Sequence, residues 1–281
     1  MTKTIPPEWG LDWDQLRQIF EVETKLASQL KQADPSERKK MYSPVYEEYF
    51  RKLPFHPQIT IKKNPELQRN RVSFQLRQIL PFSNSKNILM EIGAGDCSLS
   101  IAASNYFKTV YALEVSSEMV GNVDFPKNVK SILFDGFDIP LDSESIDVAY
   151  SNQLMEHLHP DDAEDQLKSI YRVLKKKGVY ICITPNRISG PSDISWWFTD
   201  SLVGFHLKEY SAVDLKKIFK HAGFSKVIGY SIIKGKKIDI PFPAIRFIEA
   251  IAELLPTNLR NSFVRLGPVS IVFNSIIVAI K

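Results

Sequence analysis

Three carboxylates, Glu91, Glu114 and Asp135, stand at the ends of short apolar runs, and the first is followed at once by a glycine-rich stretch. In Glu91-Ile92-Gly93-Ala94-Gly95-Asp96-Cys97-Ser98 the glycines permit a tight turn and let a ligand approach the backbone. The helix expected after them offers unpaired amides, so a nucleotide-like ligand suits the loop. A dinucleotide fingerprint would want a third glycine where Ser98 sits, which argues against NAD. Glu114 follows Gly93 by 21 residues, where a carboxylate can accept both hydroxyls of a ribose. Asp135, at the end of the next run, can accept from an adenine amino group. A lone GxG is only a turn; three acids at neighbouring strand ends make it a candidate site.

The elements that must position these groups can be read from periodicity. Runs rich in β-branched residues at 87–92, 110–115, 129–134, 146–150, 179–184 and 227–233 alternate with helical patterns. Ala163, Leu167, Ile170, Tyr171 and Leu174 line one helix face that stops before Gly178, and a capping box from Ser211 to Asp214 opens another helix that ends at Gly223. Strand and helix in alternation predict an α/β fold with a parallel sheet covered on both faces. A last run, 269–280, is expected to close that sheet as an edge strand. Before position 81 the spacing is helical, over 12–31 and again from Asn64 and Pro65 through Leu80. Residues 1–85 therefore read as a helical amino-terminal cap and 86–281 as the main domain, with a lid insertion at 234–268. Within that insertion the polar residues of 241–256 (Arg246, Glu249, Glu253) form one narrow stripe. Most of this helix should then be buried, in the protein, in a homodimer or on a lipid surface.

These motifs resemble the class I S-adenosylmethionine-dependent methyltransferases, most closely the type 11 group similar to ubiquinone/menaquinone methyltransferases. The resemblance covers about residues 86–233. It rests on E-x-G-x-G at Glu91–Gly95, on Ala112-Leu113-Glu114-Val115-Ser116 and on Phe134-Asp135-Gly136. Ile146-Asp147-Val148-Ala149 leading to Glu156-His157-Leu158, and the stretch from Leu174 to Gly178, complete it. It implies a Rossmann-like, doubly wound, mostly parallel seven-stranded sheet with an antiparallel last strand, and S-adenosylmethionine as cofactor. Glu91, Gly93 and Gly95 would face the methionine part, Glu114 and Val115 the ribose, Asp135 and Gly136 the adenine, and Asn152 would lie near the cofactor. The family motif often has another glycine where Cys97 stands.

Methyl transfer from a sulfonium needs alignment and exclusion of water, and a general base only where the acceptor is protonated. His157 and His206 are the candidate bases, each with a packing role as the alternative. Arg187 could hold an acceptor carboxylate by paired hydrogen bonds. Trp196 and Trp197, with Tyr46 and His56 of the aromatic stretch 42–57, could line an acceptor pocket or pack as core. The expectation is an enzyme methylating a small or medium-sized acceptor, at oxygen, in specialised metabolism. The alternatives are methylation of a prenylated quinone or other lipid at a membrane surface, and a non-catalytic protein that only binds the cofactor.

Composition bounds the rest. The chain has 281 residues, 44% hydrophobic and 24% charged, which suits a folded globular protein. Net charge is +4, with basic residues spread over both flanks and no basic block interleaved with aromatics, so nucleic acid is not an expected partner. Cys97 and Cys182 are far apart and fit no ligand spacing. No metal site is expected, and a reducing cytoplasm fits. Early acids at positions 8, 12 and 14 and an interrupted apolar run at 271–280 argue against export and membrane insertion.

Overall fold

Helix starts follow the capping chemistry of the sequence. The computed structural model describes residues 4–60, 64–121 and 123–281. Asp12 accepts from the Gln15 amide and Gln15 returns the bond, which opens α1 (Trp13–Gln32). Asp34 with Pro35 opens α2 (Pro35–Lys52), and the single turn α3 (Pro57–Thr60) follows. Asn64 with Pro65 opens α4 (Pro65–Ile79). Tyr42, Tyr46, Tyr49 and Phe50 all ride on α2, where the helical spacing aligns three of them over Leu16, Ile19, Leu26 and Leu30 of α1.

The strands are β1 (Ile88–Ile92), β2 (Thr109–Glu114), β3 (Val129–Leu133), β4 (Ile146–Asn152), β5 (Leu174–Ile183), β6 (Lys226–Ile233), β7 (Lys236–Ile240) and β8 (Ile276–Ile280). They form one sheet in the order β3-β2-β1-β4-β5-β8-β6-β7. The first five pair in parallel, and β8 runs antiparallel to β5 and β6. The helices between them are α5 (Ser98–Ala103), α6 (Ser117–Val120), α7 (Pro160–Val173), α8 (Ser195–Phe198) and α9 (Ala212–His221). Then come α10 (Phe242–Leu254), α11 (Thr257–Phe263) and α12 (Gly267–Phe273). Alternate strand residues feed two cores. Met90 and Ile92 face the larger one with α1, α2, α7 and α9, whereas Leu89 faces the smaller one with α4 and α5.

The sheet thus has the expected Rossmann-like form with eight strands in place of seven. The added strand, β7, folds back on β6 through Lys234 and Gly235, whose φ values of 49° and 76° suit a two-residue hairpin. The antiparallel last strand is present, but it is interior: β8 lies between β5 and β6. The run 269–280 divides, because Gly267-Pro268 starts a helix and Asn274 and Ser275 interrupt it before the strand begins.

The helix of the insertion also packs otherwise than its polar stripe suggests. Glu249 of α10 is buried, while Phe247 is 66% and Leu254 85% exposed. The inversion has a cause. The Glu249 carboxylate accepts from Asn186 Nδ2 at 2.7 Å and from the amides of Ala212 and Val213 at 2.7 and 3.2 Å, so it closes the start of α9. Among the described residues no helix is long and apolar enough to cross a membrane.

Candidate functional site

The turn after β1 is fixed from two sides. Gly93 and Gly95 adopt left-handed backbone with φ of 74° and 56°, and a Cβ at Gly93 would come within 3.2 Å of Leu154. Cys97 takes the same conformation (φ 58°) at the head of α5, so a non-glycine residue completes the turn. The amides of Gly93 and Ala94 donate to the Leu113 carbonyl at 2.9 and 3.0 Å. The Gly95 amide donates to Glu114 Oε2 at 2.7 Å, and the Val115 amide to Oε1 at 2.8 Å. Glu114 therefore pins the loop that it faces. Beside it, Glu91 accepts from the Ser100 hydroxyl at 2.5 Å. Burial, reinforced by the charges of Asp96 and Glu114, pushes the Glu91 carboxyl up to about 8 against the pull of that hydrogen bond. A desolvated acid at a cavity wall suits a cationic ligand, which would restore its charge.

These groups close one end of a cavity of about 860 Å³. Glu91, Gly93, Gly95 and Glu114 line it, as do Val115, Gly136 and Asn152. Asp135 does not line it. That side chain is exposed, and its Oδ1 accepts from the amides of Phe137 and Asp138 at 2.8 and 2.9 Å, closing the turn after β3. The far end is aromatic, walled by Trp9, Phe50, Trp196, Trp197 and Phe205 with Tyr46. Trp197 also packs edge-on to Trp9, Trp13 and Trp196, so it joins the amino-terminal segment to the loop after β5 while facing the cavity. The roof comes from residues 6–75 and 189–206; none of 234–268 lines the cavity, so the expected lid lies elsewhere. The cap is anchored by a buried ion pair in which Arg38 donates to Asp162 at 2.5 and 3.1 Å. Tyr42 donates to the same carboxylate at 2.9 Å and accepts from the His159 amide at 2.9 Å, tying α2 to the start of α7.

Polar groups at the aromatic end are arranged in two sets. His56 accepts from the Gln58 amide at Nδ1, so its Nε2 donates to Tyr49 (2.8 Å), whose hydroxyl donates to Glu23 at 2.6 Å. Burial drives His56 down to about 4 and Glu23 up to about 7. The second set holds both histidines proposed from sequence, with ring centroids 4.9 Å apart. His157 Nδ1 lies 3.0 Å from the Phe205 carbonyl, and burial lowers this ring to about 3, leaving it neutral. His206 Nδ1 lies 2.8 Å from Glu209; burial opposes its charge, but Glu209, Glu156 and Asp193 together raise it. Glu156, wholly buried, is pushed up to about 7 by burial.

Arg187 is placed away from this cavity. It donates to Asp214 at 2.7 Å and to Glu253, bridging α9 and α10, and these partners hold it outside the cavity wall where an acceptor-binding role would place it. Three cavity groups carry no motif, Glu23, Tyr49 and Asp193, and neither does Glu209, buried behind His206. Glu23 alone leaves a signal, an acid inside the apolar stripe Leu16, Ile19, Leu26, Leu30 of α1.

Comparison with known proteins agrees with the fold. A family model described as "Methyltransferase domain" matches residues 90–182, the stretch from β1 to β5. A Mycolicibacterium smegmatis protein named "Probable S-adenosylmethionine-dependent methyltransferase" is 34% identical over 87 residues, 31% of this chain and 32% of that protein. A Mycobacterium tuberculosis protein of the same description is 26% identical over 178 residues, 63% of this chain and 61% of its own length. The chain thus spans less than two thirds of either relative. Among solved structures, an S-adenosylmethionine-dependent methyltransferase of Thermotoga maritima superposes with a TM-score of 0.51 at 16% identity, covering 80% of this chain and 96% of that one. The Haloferax volcanii complex of the Trm112 activator with a methyltransferase gives 0.52 at 20%, covering 74% and 88%.

Proposed function

We propose that this protein is a class I S-adenosylmethionine-dependent methyltransferase of the type 11 kind that methylates an oxygen of a small or medium-sized acceptor in specialised metabolism; the match of residues 90–182 to a methyltransferase-domain model supports the reading. One observation carries the reading: a single cavity runs from the acids Glu91 and Glu114 to the aromatic wall under the amino-terminal helices. Donor and acceptor would share one room from which water is excluded.

Glu91 meets the ammonium group of the cofactor, Glu114 accepts from its ribose hydroxyls, and Gly93 and Gly95 let the backbone come close. Val115, Gly136 and Asn152 fill the wall beside it. When bound, the cofactor supplies an electrophilic methyl group and a neutral thioether leaving group. The chain contributes alignment and dryness. Trp196 and Trp197 hold an apolar acceptor body, with His157 and His206 beside its hydroxyl.

The decisive experiment incubates the protein with methyl-labelled S-adenosylmethionine and a panel of phenols, carboxylic acids, amines and prenylated quinone analogues. Label in an oxygen ether or ester supports the reading. Binding of S-adenosylhomocysteine with no transfer to any member would leave a cofactor-binding protein, and absence of binding would end it. A second reading, a lipid acceptor at a membrane surface, draws on Phe247, Leu254, Leu259 and Leu266, all exposed on 242–266. Co-sedimentation with anionic vesicles at low salt tests it.

A further inference from the structure

We propose that Glu156, His157 and His206 bind a divalent transition-metal ion, zinc or a similar cation, in the wall of the acceptor end. A carboxylate oxygen of Glu156 and one ring nitrogen from each histidine lie within 4.8 Å of one another. Glu156 is 0% exposed; its Oε2 accepts from the Thr184 hydroxyl at 2.8 Å, and its Oε1 is buried with no hydrogen-bond partner. A buried carboxylate oxygen left without a partner is costly, and a cation satisfies it.

The imidazoles are turned for the task. The Phe205 carbonyl can only accept, so His157 carries its proton on Nδ1 and keeps a lone pair on Nε2. His206 presents Nδ1 to Glu209, which also accepts from the Ser192 amide at 2.7 Å and is therefore held in place. Imidazoles backed by a carbonyl or a carboxylate on the far nitrogen are the outer shell that metal-ligating histidines require. Two histidines and a glutamate form the ligand set of catalytic zinc sites that keep an open position. Here both rings line the cavity, so an open position would face the acceptor. An acceptor hydroxyl binding there would lose its proton to solvent more readily, because the cation stabilises the oxyanion. That use rests on the oxygen-methylation reading; the site itself does not.

The test uses the full chain, stripped with a chelator, and needs neither cofactor nor acceptor. Titration with cobalt(II) should give visible ligand-field absorption saturating at one equivalent, displaced by zinc. Replacement of His206 by Ala, or Glu156→Gln, should weaken binding by more than about tenfold, and Glu209→Gln, which touches only the outer shell, by roughly 10-fold or more. Each variant should keep the far-ultraviolet circular dichroism and cooperative unfolding of the parent, which report an intact fold without any cofactor and keep the two proposals separable. Absence of a saturable band in the parent would overturn the site. So would a folded His206→Ala or Glu156→Gln protein that binds cobalt as tightly as the parent; should His206→Ala not fold, the other two variants decide.

Discussion

With its carboxyl pushed up to about 8 from an ordinary 4.5, Glu91 holds a proton in the folded chain that it gives up when unfolded. Its contribution to stability is complete below the unfolded value and is lost as pH climbs toward 8, so the cofactor-free protein should weaken across that interval. Urea melts of the parent and Glu91→Gln should show a shallower decline in the variant. A cationic ligand reverses the preference for the neutral acid. At pH 7, calorimetry of S-adenosylhomocysteine binding in buffers of different ionisation enthalpy should register release of roughly one proton, and none for Glu91→Gln. Identical heats in every buffer would refute the pairing. Glu91 is legible in sequence because strand end, acid and glycine turn fall within a few residues of each other, and Glu114 because it ends the next apolar run, 21 residues after Gly93. Arg187 misleads because its partners Asp214 and Glu253 lie 27 and 66 residues away, beyond any local pattern.

At the scale of elements, the cap depends on a buried charge. Arg38 and Asp162 are both nearly inaccessible, and Tyr42 completes their bonding. Asp162→Ala leaves a guanidinium buried without its partner and should cost about 3–5 kcal/mol in chemical denaturation. Replacing Arg38 and Asp162 together by Met and Leu should recover much of that loss, since well-packed apolar pairs substitute for buried ions. A double variant as unstable as the single one would mean the pair is not what holds α2 to α7. Helix starts at Asn64 and Ser211 were readable from their caps and that near Asp12 from apolar spacing, signals that are local. The division of 269–280 into α12 and β8 was not, because the apolar residues on both sides of Asn274 and Ser275 hide a change of period.

For the whole molecule, strand and helix alternation from 87 to 233 foretells the layered sheet, since each strand end must bring its loop to the same edge. The roof of the cavity is a different matter: it is assembled from residues 6–75 and 189–206, and only tertiary packing brings them together. Ligand binding across that seam should stabilise the entire fold. S-adenosylhomocysteine at 100 times its dissociation constant should add about 2.7 kcal/mol, seen as a rise of several degrees in melting temperature. No rise would mean that the folded protein does not bind this ligand in preference to the unfolded chain.

The hairpin that adds β7 leaves a bare strand flank at one margin of the sheet. Ile238 on it is 45% exposed, yet it stands between Lys236 and Lys237 on one side and Asp239 on the other. Such charges act as gatekeepers, making edge-to-edge stacking of neighbouring molecules unfavourable. Exchanging Lys236 and Asp239 for Val should leave the chain folded but prone to fibrils, detectable by light scattering and thioflavin fluorescence on gentle heating.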